Sequence, residues 1–310
     1  MKPPASCRNT RMKKLRLVAT LLLALLFTGC QTKSPAVTIA LLGDLMLGRG
    51  ADPKPDSLAI LTPYLSSSDL VLANLESPLS SEPPVQSSAY NLCTSSSRAH
   101  LLAGWGFDLL SIANNHQYDC GPDGPSATRS ALESVGITPL GSGMEPVRRV
   151  VNGLPLAFLA FDDVSSTLDV NSAIQEIRSE HASGASVIVS VHWGMEYQGG
   201  ASDRQKSLAE QFVTAGAVLV WGHHPHVLQP VEWIQTARGK ALVLYSLGNA
   251  LFDQVGLSDT RQSALVLITL TAQGVTGVHA VPFVIDVVES RLLVPDSGTA
   301  RQIQENLQLP

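Results

Sequence analysis

The sequence predicts an α/β fold built on a mainly parallel sheet, from two observations. From Val37 onward, short apolar, strand-like runs alternate with helix-compatible stretches, as in repeated βα units. Six of those runs break at residues able to hold a metal, and open parallel sheets bind ligands beyond the carboxyl ends of their strands. The 310 residues, 45% hydrophobic and only 5% aromatic, suffice for one large core or for one domain with small appendages.

The N-terminus differs from the rest. Lys2, Arg8, Arg11, Lys13, Lys14 and Arg16 form a basic region without an acid. The apolar run 17–27 follows and closes on Thr28-Gly29-Cys30. This order describes a secretory signal. The run is shorter than the roughly 20 apolar residues of a spanning helix. The break before Cys30 resembles a bacterial lipobox, with Phe27 where Leu is usual and Leu26 adjacent. On that resemblance, residues 1–29 are a lipoprotein signal peptide, Cys30 carries the lipid, and 30–36 form a tether. Gln31 in place of Asp resembles outer-membrane sorting, so the expected location is the cell envelope, at the outer membrane facing the periplasm. A cleaved soluble precursor and an uncleaved anchor are the competing readings. Met12-Lys13-Lys14 would itself start a compact signal.

Loss of residues 1–30 leaves 15 Lys and Arg against 26 acids, a net charge near −11. No basic patch survives, which argues against nucleic acid as partner. Cys93 and Cys120 are the remaining cysteines. In an oxidising compartment they read as a disulfide. A buried thiol or a soft metal ligand near His116 and Asp119 are the alternatives.

Residues 37–43 end at Asp44, a carboxylate suited to a hard divalent ion or to capping a helix. Residues 70–73 end at Asn74 and Glu76, two oxygen donors facing one way if the strand continues, or a turn before Pro78. Residues 80–97, rich in Ser and Pro, read as a surface loop at the rim of the site. Residues 109–113 end at Asn114-Asn115-His116, polar side chains that are costly to bury without partners. There Asn115 suits coordination, His116 suits acid-base work, and Asp119 suits orienting its imidazole. Residues 156–161 end at Asp162-Asp163, which also suit a helix cap.

Residues 187–191 end at His192, followed by Trp193-Gly194-Met195-Glu196-Tyr197. A lone strand-end His is more often structural, so His192 gains weight from its company. Residues 218–221 end at Gly222-His223-His224-Pro225-His226, three of the eight histidines within four residues. Imidazole is the commonest protein metal ligand. His224 and His226 should face alike across Pro225, with His223 turned away. Residues 242–245 end at Ser246 and Asn249. Helix-compatible stretches cover 98–103, 124–135 and 203–215. Residues 263–271 and 278–288 read as antiparallel strands around Gln273-Gly274. The domain is expected over 37–290, with 291–310 a polar tail, either a short helix or disordered.

Together these segments resemble the CapA family, the poly-γ-glutamate capsule synthesis proteins, from about Val37 to Asp253. The resemblance rests on Gly43-Asp44-Leu45-Met46-Leu47-Gly48-Arg49, Asn74-Leu75-Glu76-Ser77-Pro78 and Ala113-Asn114-Asn115-His116. It continues through His192-Trp193-Gly194-Met195-Glu196-Tyr197, the segment 222–227 and Tyr245-Ser246-Leu247-Gly248-Asn249. That family looks like a branch of the calcineurin-like metallophosphoesterases, which implies a four-layer α/β/β/α sandwich of the metallo-dependent phosphatase type. It also implies one or two divalent ions (manganese, zinc or iron) held by Asp44, Glu76, Asn115, His192 and His224 or His226, with His116 as the acid. Arg49, Asn74, Glu196, His223 and Asn249 are the expected substrate contacts. Two departures stand out: Met46 occupies the place of a metal-binding His, and Asn74-Leu75-Glu76 replaces the usual bridging-aspartate motif. Ala250 replaces an aromatic residue of the family and is expected to reshape the pocket wall.

The resemblance implies a metal-dependent hydrolase acting on a phosphoester or on an anionic envelope polymer such as poly-γ-glutamate, alongside capsule synthesis proteins. The rival reading is a non-catalytic factor that binds such a polymer for assembly or export. A degenerate site kept for structure is a third.

Overall fold

A computed structural model of the chain describes residues 1, 35–82, 90–237 and 239–309. The signal peptide beyond Met1, Cys30 and the tether up to residue 34 lie outside the described residues, as does 83–89 of the rim loop. The chain enters on β1 (Ala36–Leu45), passes α1 (Thr62–Ser66) and returns as β2 (Leu70–Leu75). A short pair, β3 (Leu79–Ser80) and β4 (Thr94–Ser95), leads through α2 (Ala99–Gly104) to β5 (Leu109–Ser111), and α3 (Gly124–Ser134) leads to β6 (Thr138–Leu140). A hairpin of β7 (Val147–Val151) and β8 (Leu154–Asp162) opens the second half. The βα rhythm then resumes with α4 (Val170–Ala182), β9 (Ser186–His192), α5 (Asp203–Ala215) and β10 (Ala217–His223). The remainder is β11 (Val231–Thr236), β12 (Gly239–Leu244), β13 (Asn249–Leu251), β14 (Gln262–Thr271), β15 (Gly274–Asp286), β16 (Arg291–Leu293) and α6 (Ser297–Leu307).

Two large sheets result. One runs β16-β15-β14-β1-β2-β5-β6 with β13 beside β1, and the other runs β11-β12-β10-β9-β8-β7. The parallel pairing expected from the βα rhythm holds for β1-β2-β5-β6 and for β8-β9-β10-β12. Antiparallel strands complete the edges, including β14 with β15.

Period-two alternation explains why the sheets stack. In β1, Val37, Ile39 and Leu41 face the core between the sheets, whereas Ala40 and Leu42 face the outer layer with Leu61, Leu65, Leu102 and Leu132. In β9 and β10, Ile188, Leu219 and Trp221 turn inward. Val187, Val189, Val191 and Val220 pack outward on Ile177, Leu208 and Phe212 of α4 and α5. Strands buried on both faces need near-continuous apolar sequence, which is what these runs provide. The architecture is the expected four-layer α/β/β/α sandwich.

Helix ends follow local chemistry. Ser202 and Gln205 form a reciprocal capping box at the start of α5. Asp296 caps α6 by accepting from Gly298 N at 2.8 Å and Thr299 N at 3.0 Å. The tail is therefore a helix, and its Ile303 and Leu307 enter the core between the sheets. The first sheet also continues past residue 290, through the pairing of β16 with β15.

Candidate metal centre

The carboxyl ends of the central strands of both sheets converge, and register decides what they present. On one side Asp44 of β1 stands opposite Asn74 of β2 and Asn249 of β13, beyond a register shift after Leu41. Such a bulge re-aims the side chains that follow it. On the other side Asp162, His192 and His223 align across β8, β9 and β10. Gly222 lets the second set approach closely: a Cβ there would lie 2.2 Å from Tyr245 O and 2.3 Å from Trp193 Nε1.

Asp44 is the hub. Its Oδ1 accepts from Asn74 Nδ2 at 2.8 Å, and its Oδ2 accepts from His224 N at 3.1 Å. His223 Nδ1 lies 3.6 Å from Oδ1, and His226 Nδ1 lies 3.4 Å from Oδ2. Glu76 lies between two imidazoles, 3.8 Å from His192 Nε2 and 3.9 Å from His226 Nε2. Asn115 Oδ1 is 2.8 Å from His192 Nε2. The rings of His192 and His224 are 4.8 Å apart, and those of His224 and His226 are 6.0 Å apart. Potential ligand atoms of Asp44, Glu76 and His192 lie within 4.8 Å of one another, as do those of Glu196, His224 and His226.

Fit to a cation is tested by atoms that lack partners. Both oxygens of the buried Glu76 carboxylate, both ring nitrogens of His223 and His224 Nδ1 have no hydrogen-bond partner. A buried carboxylate in that condition is costly. Oxygen and imidazole donors together are what a divalent ion requires. The residues fit the ion.

Proton affinities are consistent with this. Burial alone would raise Asp44, but the hydrogen bond and charge of His226, with His223 and His192 beyond, hold it well below the usual carboxylate range. Burial, then the charge of Asp44, push Glu76 well above its ordinary value. Burial pushes His223 down to about 4. Burial and the charge of His224 push His192 well down, and burial with the charge of His226 lowers His224. His226 moves the other way, to about 9: burial opposes the rise, but Glu76 and Asp44 outweigh it. Glu76 and His226 thus compete for one proton, in a cluster otherwise short of positive charge.

The expected acid lies beside this cluster. His116 Nδ1 is 2.9 Å from Asp119 Oδ2, which also accepts from Leu92 N at 2.7 Å. Cys93 and Cys120 form the expected disulfide, one residue from Leu92 and one from Asp119. The described part of the rim loop is thereby fastened to the segment that orients His116.

Three expected substrate contacts take another place. Asn74 is fully buried beneath Asp44, because Asn114 donates to its Oδ1 at 3.3 Å and fixes its amide toward the carboxylate. Asn249 is fully buried, with Oδ1 2.9 Å from His226 Nδ1 and Nδ2 donating to Thr260 O at 2.8 Å. His223 does not turn away. It ends β10 two residues after inward-facing Trp221, so alternation points it inward, edge-on to that indole at 4.2 Å. His224 and His226 do approach one another as expected, each at positive φ (96° and 58°). Arg49 ion-pairs with Asp253 and lies 5.6 Å over the Phe252 ring. Glu196 is exposed at the rim.

The family departures also find places. Met46 is buried in a small apolar cluster with Ala51, Leu92 and Phe252. Ala250 is fully buried on the helix-covered face of the first sheet, so it shapes the core and not the pocket wall. Asp162 accepts from Val164 N at 2.8 Å and Ser165 N at 3.2 Å, and Asp163 pairs with Arg204, which are local structural roles. Asn114 has a role that the sequence pattern leaves unassigned, holding Asn74 in place. Its signal was a polar side chain directly after the apolar run at 109–113, which must find partners, and it finds Asn74 and Leu75 O.

A four-layer sandwich with carboxylate, amide and imidazole donors at its strand ends defines a metallophosphoesterase-like domain. More narrowly, the chain belongs to the family of the bacterial capsule synthesis protein PGA_cap, whose model matches residues 38–254. It is 31% identical over 279 residues to the capsule biosynthesis protein CapA of Bacillus anthracis, covering 79% of this chain and 67% of that one. It is also 31% identical over 282 residues to the PGA biosynthesis protein CapA of Bacillus subtilis, covering 82% and 72%. A probable polyglutamine synthesis accessory protein of Mycobacterium tuberculosis is 24% identical, covering 76% and 80%. Among solved structures, a hypothetical protein from Thermus thermophilus shares the fold, with a TM-score of 0.52, 17% identity and coverage of 79% and 98%.

Proposed function

We propose that this protein is a metal-dependent hydrolase of the bacterial cell envelope, acting in the metabolism of capsular poly-γ-glutamate or a related anionic polymer. One observation carries the hydrolase reading: the buried Glu76 carboxylate, without a hydrogen-bond partner, among Asp44, His192 and His226. The capsule context is supported by the two CapA relatives. Cys30 would anchor the chain by lipid to the outer membrane, facing the periplasm, where capsule synthesis proteins are the expected partners.

Asp44, Glu76, Asn115, His192, His224 and His226 would hold one or two divalent ions. Such an ion supplies Lewis acidity toward water and toward a phosphoryl or carbonyl oxygen. The chain's residues do the rest. Asn74 and His224 N fix Asp44, and Asn249 fixes the His226 ring. Asp119 holds His116 through Nδ1, which leaves Nε2 to donate a proton to the leaving group.

The test compares turnover of the wild type with His116→Ala and His226→Ala on phosphoesters and on γ-glutamyl amide bonds. Both variants should lose activity, His116→Ala while keeping its metal. Unchanged turnover in both on every active substrate defeats the mechanism. Bound metal with no turnover by the wild type would instead favour a polymer-binding assembly factor.

A further inference from the structure

Glu196 sits on the exposed loop after β9, yet three restraints hold that loop against the histidine cluster. Gly194, at φ 85°, turns the chain out of the buried Trp193, whose indole N–H donates to Tyr245 O at 2.9 Å. The Tyr197 backbone N–H donates to Pro225 O at 2.8 Å, joining this loop to the turn that carries His224 and His226. The Tyr197 ring lies 6.3 Å from that of His226. Tyr197 and His224 both hold left-handed backbone, at φ 64° and 96°. Strain of this kind persists where the surrounding structure over-determines it, often at functional sites.

The result is a donor set nearer the surface than the buried one. Glu196, His224 and His226 each bring a ligand atom within 4.8 Å of the others. His224 is only 7% exposed, and its Nδ1 has no hydrogen-bond partner. On the neighbouring strand end, Met46 offers no donor to this centre, because its thioether packs against Leu92 and Phe252.

We propose that Glu196, His224 and His226 form a second, rim-side metal site, unequal to the buried site of Asp44, Glu76 and His192. Glu196 is then a metal ligand and not a substrate contact. Three protein donors, one facing solvent, leave coordination positions open to a substrate oxygen, as catalytic sites require. The inference rests on the metal-hydrolase reading above and deepens it.

The test uses the full-length protein, stripped of metal and titrated with manganese by calorimetry, with electron paramagnetic resonance of the bound ions. The wild type should show two binding events of unequal affinity and a spin-coupled pair of ions. Glu196→Ala and Glu196→Gln should keep the tighter event, weaken the other by at least about 10-fold, the scale seen when support of a ligand set is lost, and abolish the coupling. Their unliganded melting temperatures should match the wild type, since the side chain is exposed. Two events that are unchanged in both variants, or a single event insensitive to Glu196, overturn this inference and leave the buried site standing. A wild type that binds no manganese, zinc or iron overturns the hydrolase reading as well.

Discussion

Asn74 donates its side-chain amide to Asp44 Oδ1 at 2.8 Å, and the two residues are register partners on adjacent parallel strands. Asn114 holds the other end of that amide, so a buried relay of two asparagines aims the carboxylate. Outer partners of this kind tune metal affinity by about 10- to 100-fold. Asn74→Leu should weaken metal binding by that range while the fold is kept, as calorimetric titration would show. Unchanged affinity would mean that the relay does not position Asp44.

The disulfide should matter for catalysis more than for metal. Cys93 and Cys120 close a loop of sequence separation 27 beside Asp119. A bridge of this kind contributes about 2–4 kcal/mol in the chain-entropy account. Cys93→Ser/Cys120→Ser should lower the melting temperature and reduce kcat with metal content unchanged. A variant with full kcat would separate the bridge from the His116–Asp119 pair.

Gly222 should resist any side chain. An alanine Cβ would lie 2.2 Å from Tyr245 O and 2.3 Å from the Trp193 indole nitrogen, both held in the core. Overpacking costs about 1–3 kcal/mol. Gly222→Ala should be destabilised by at least that much in urea unfolding and should bind metal less well. A variant as stable as the wild type would show that β10 can move away from the Tyr245 strand end.

Metal binding should release protons. In the metal-free centre His226 is raised to about 9, chiefly by Glu76 and then Asp44 against the opposing effect of burial, so below that pH it tends to carry a proton. A ligating imidazole must lose it. Affinity should therefore rise with pH up to that value, and calorimetry in buffers of different ionisation heat should detect the released proton. Affinity that falls as pH rises from 6 to 8 would place the ion elsewhere.

Much of the fold was legible because buried parallel strands announce themselves. The runs preceding Asp44, Glu76, His192 and His223 appear as strands, and α5 spans Asp203–Ala215, as its pattern indicated. Strand ends were less legible, since β9 and β10 extend through His192 and His223 themselves. That extension is why His223 faces inward: alternation continued two residues further than the apolar run. Asn74 and Asn249 misled for a related reason. An amide reads alike whether it contacts a substrate or holds a neighbouring carboxylate or imidazole, and only burial distinguishes them. The tail was legible as one of two alternatives, the short helix, but not as a docked one: Ile303 and Leu307 share a helix face, yet two apolar residues among polar ones do not signal entry into the core.

The most direct measurement compares the metal content and melting temperature of the wild type with those of Glu76→Gln. The substitution keeps shape and removes the charge whose oxygens lack partners. The wild type should bind metal stoichiometrically and gain about 2.7 kcal/mol of stability at a free concentration one hundred times Kd. Glu76→Gln should lose both, while its metal-free form melts at or above the metal-free wild type because the buried carboxylate without partners is gone. Equal metal content and equal metal-induced stabilisation in the two proteins would contradict the account.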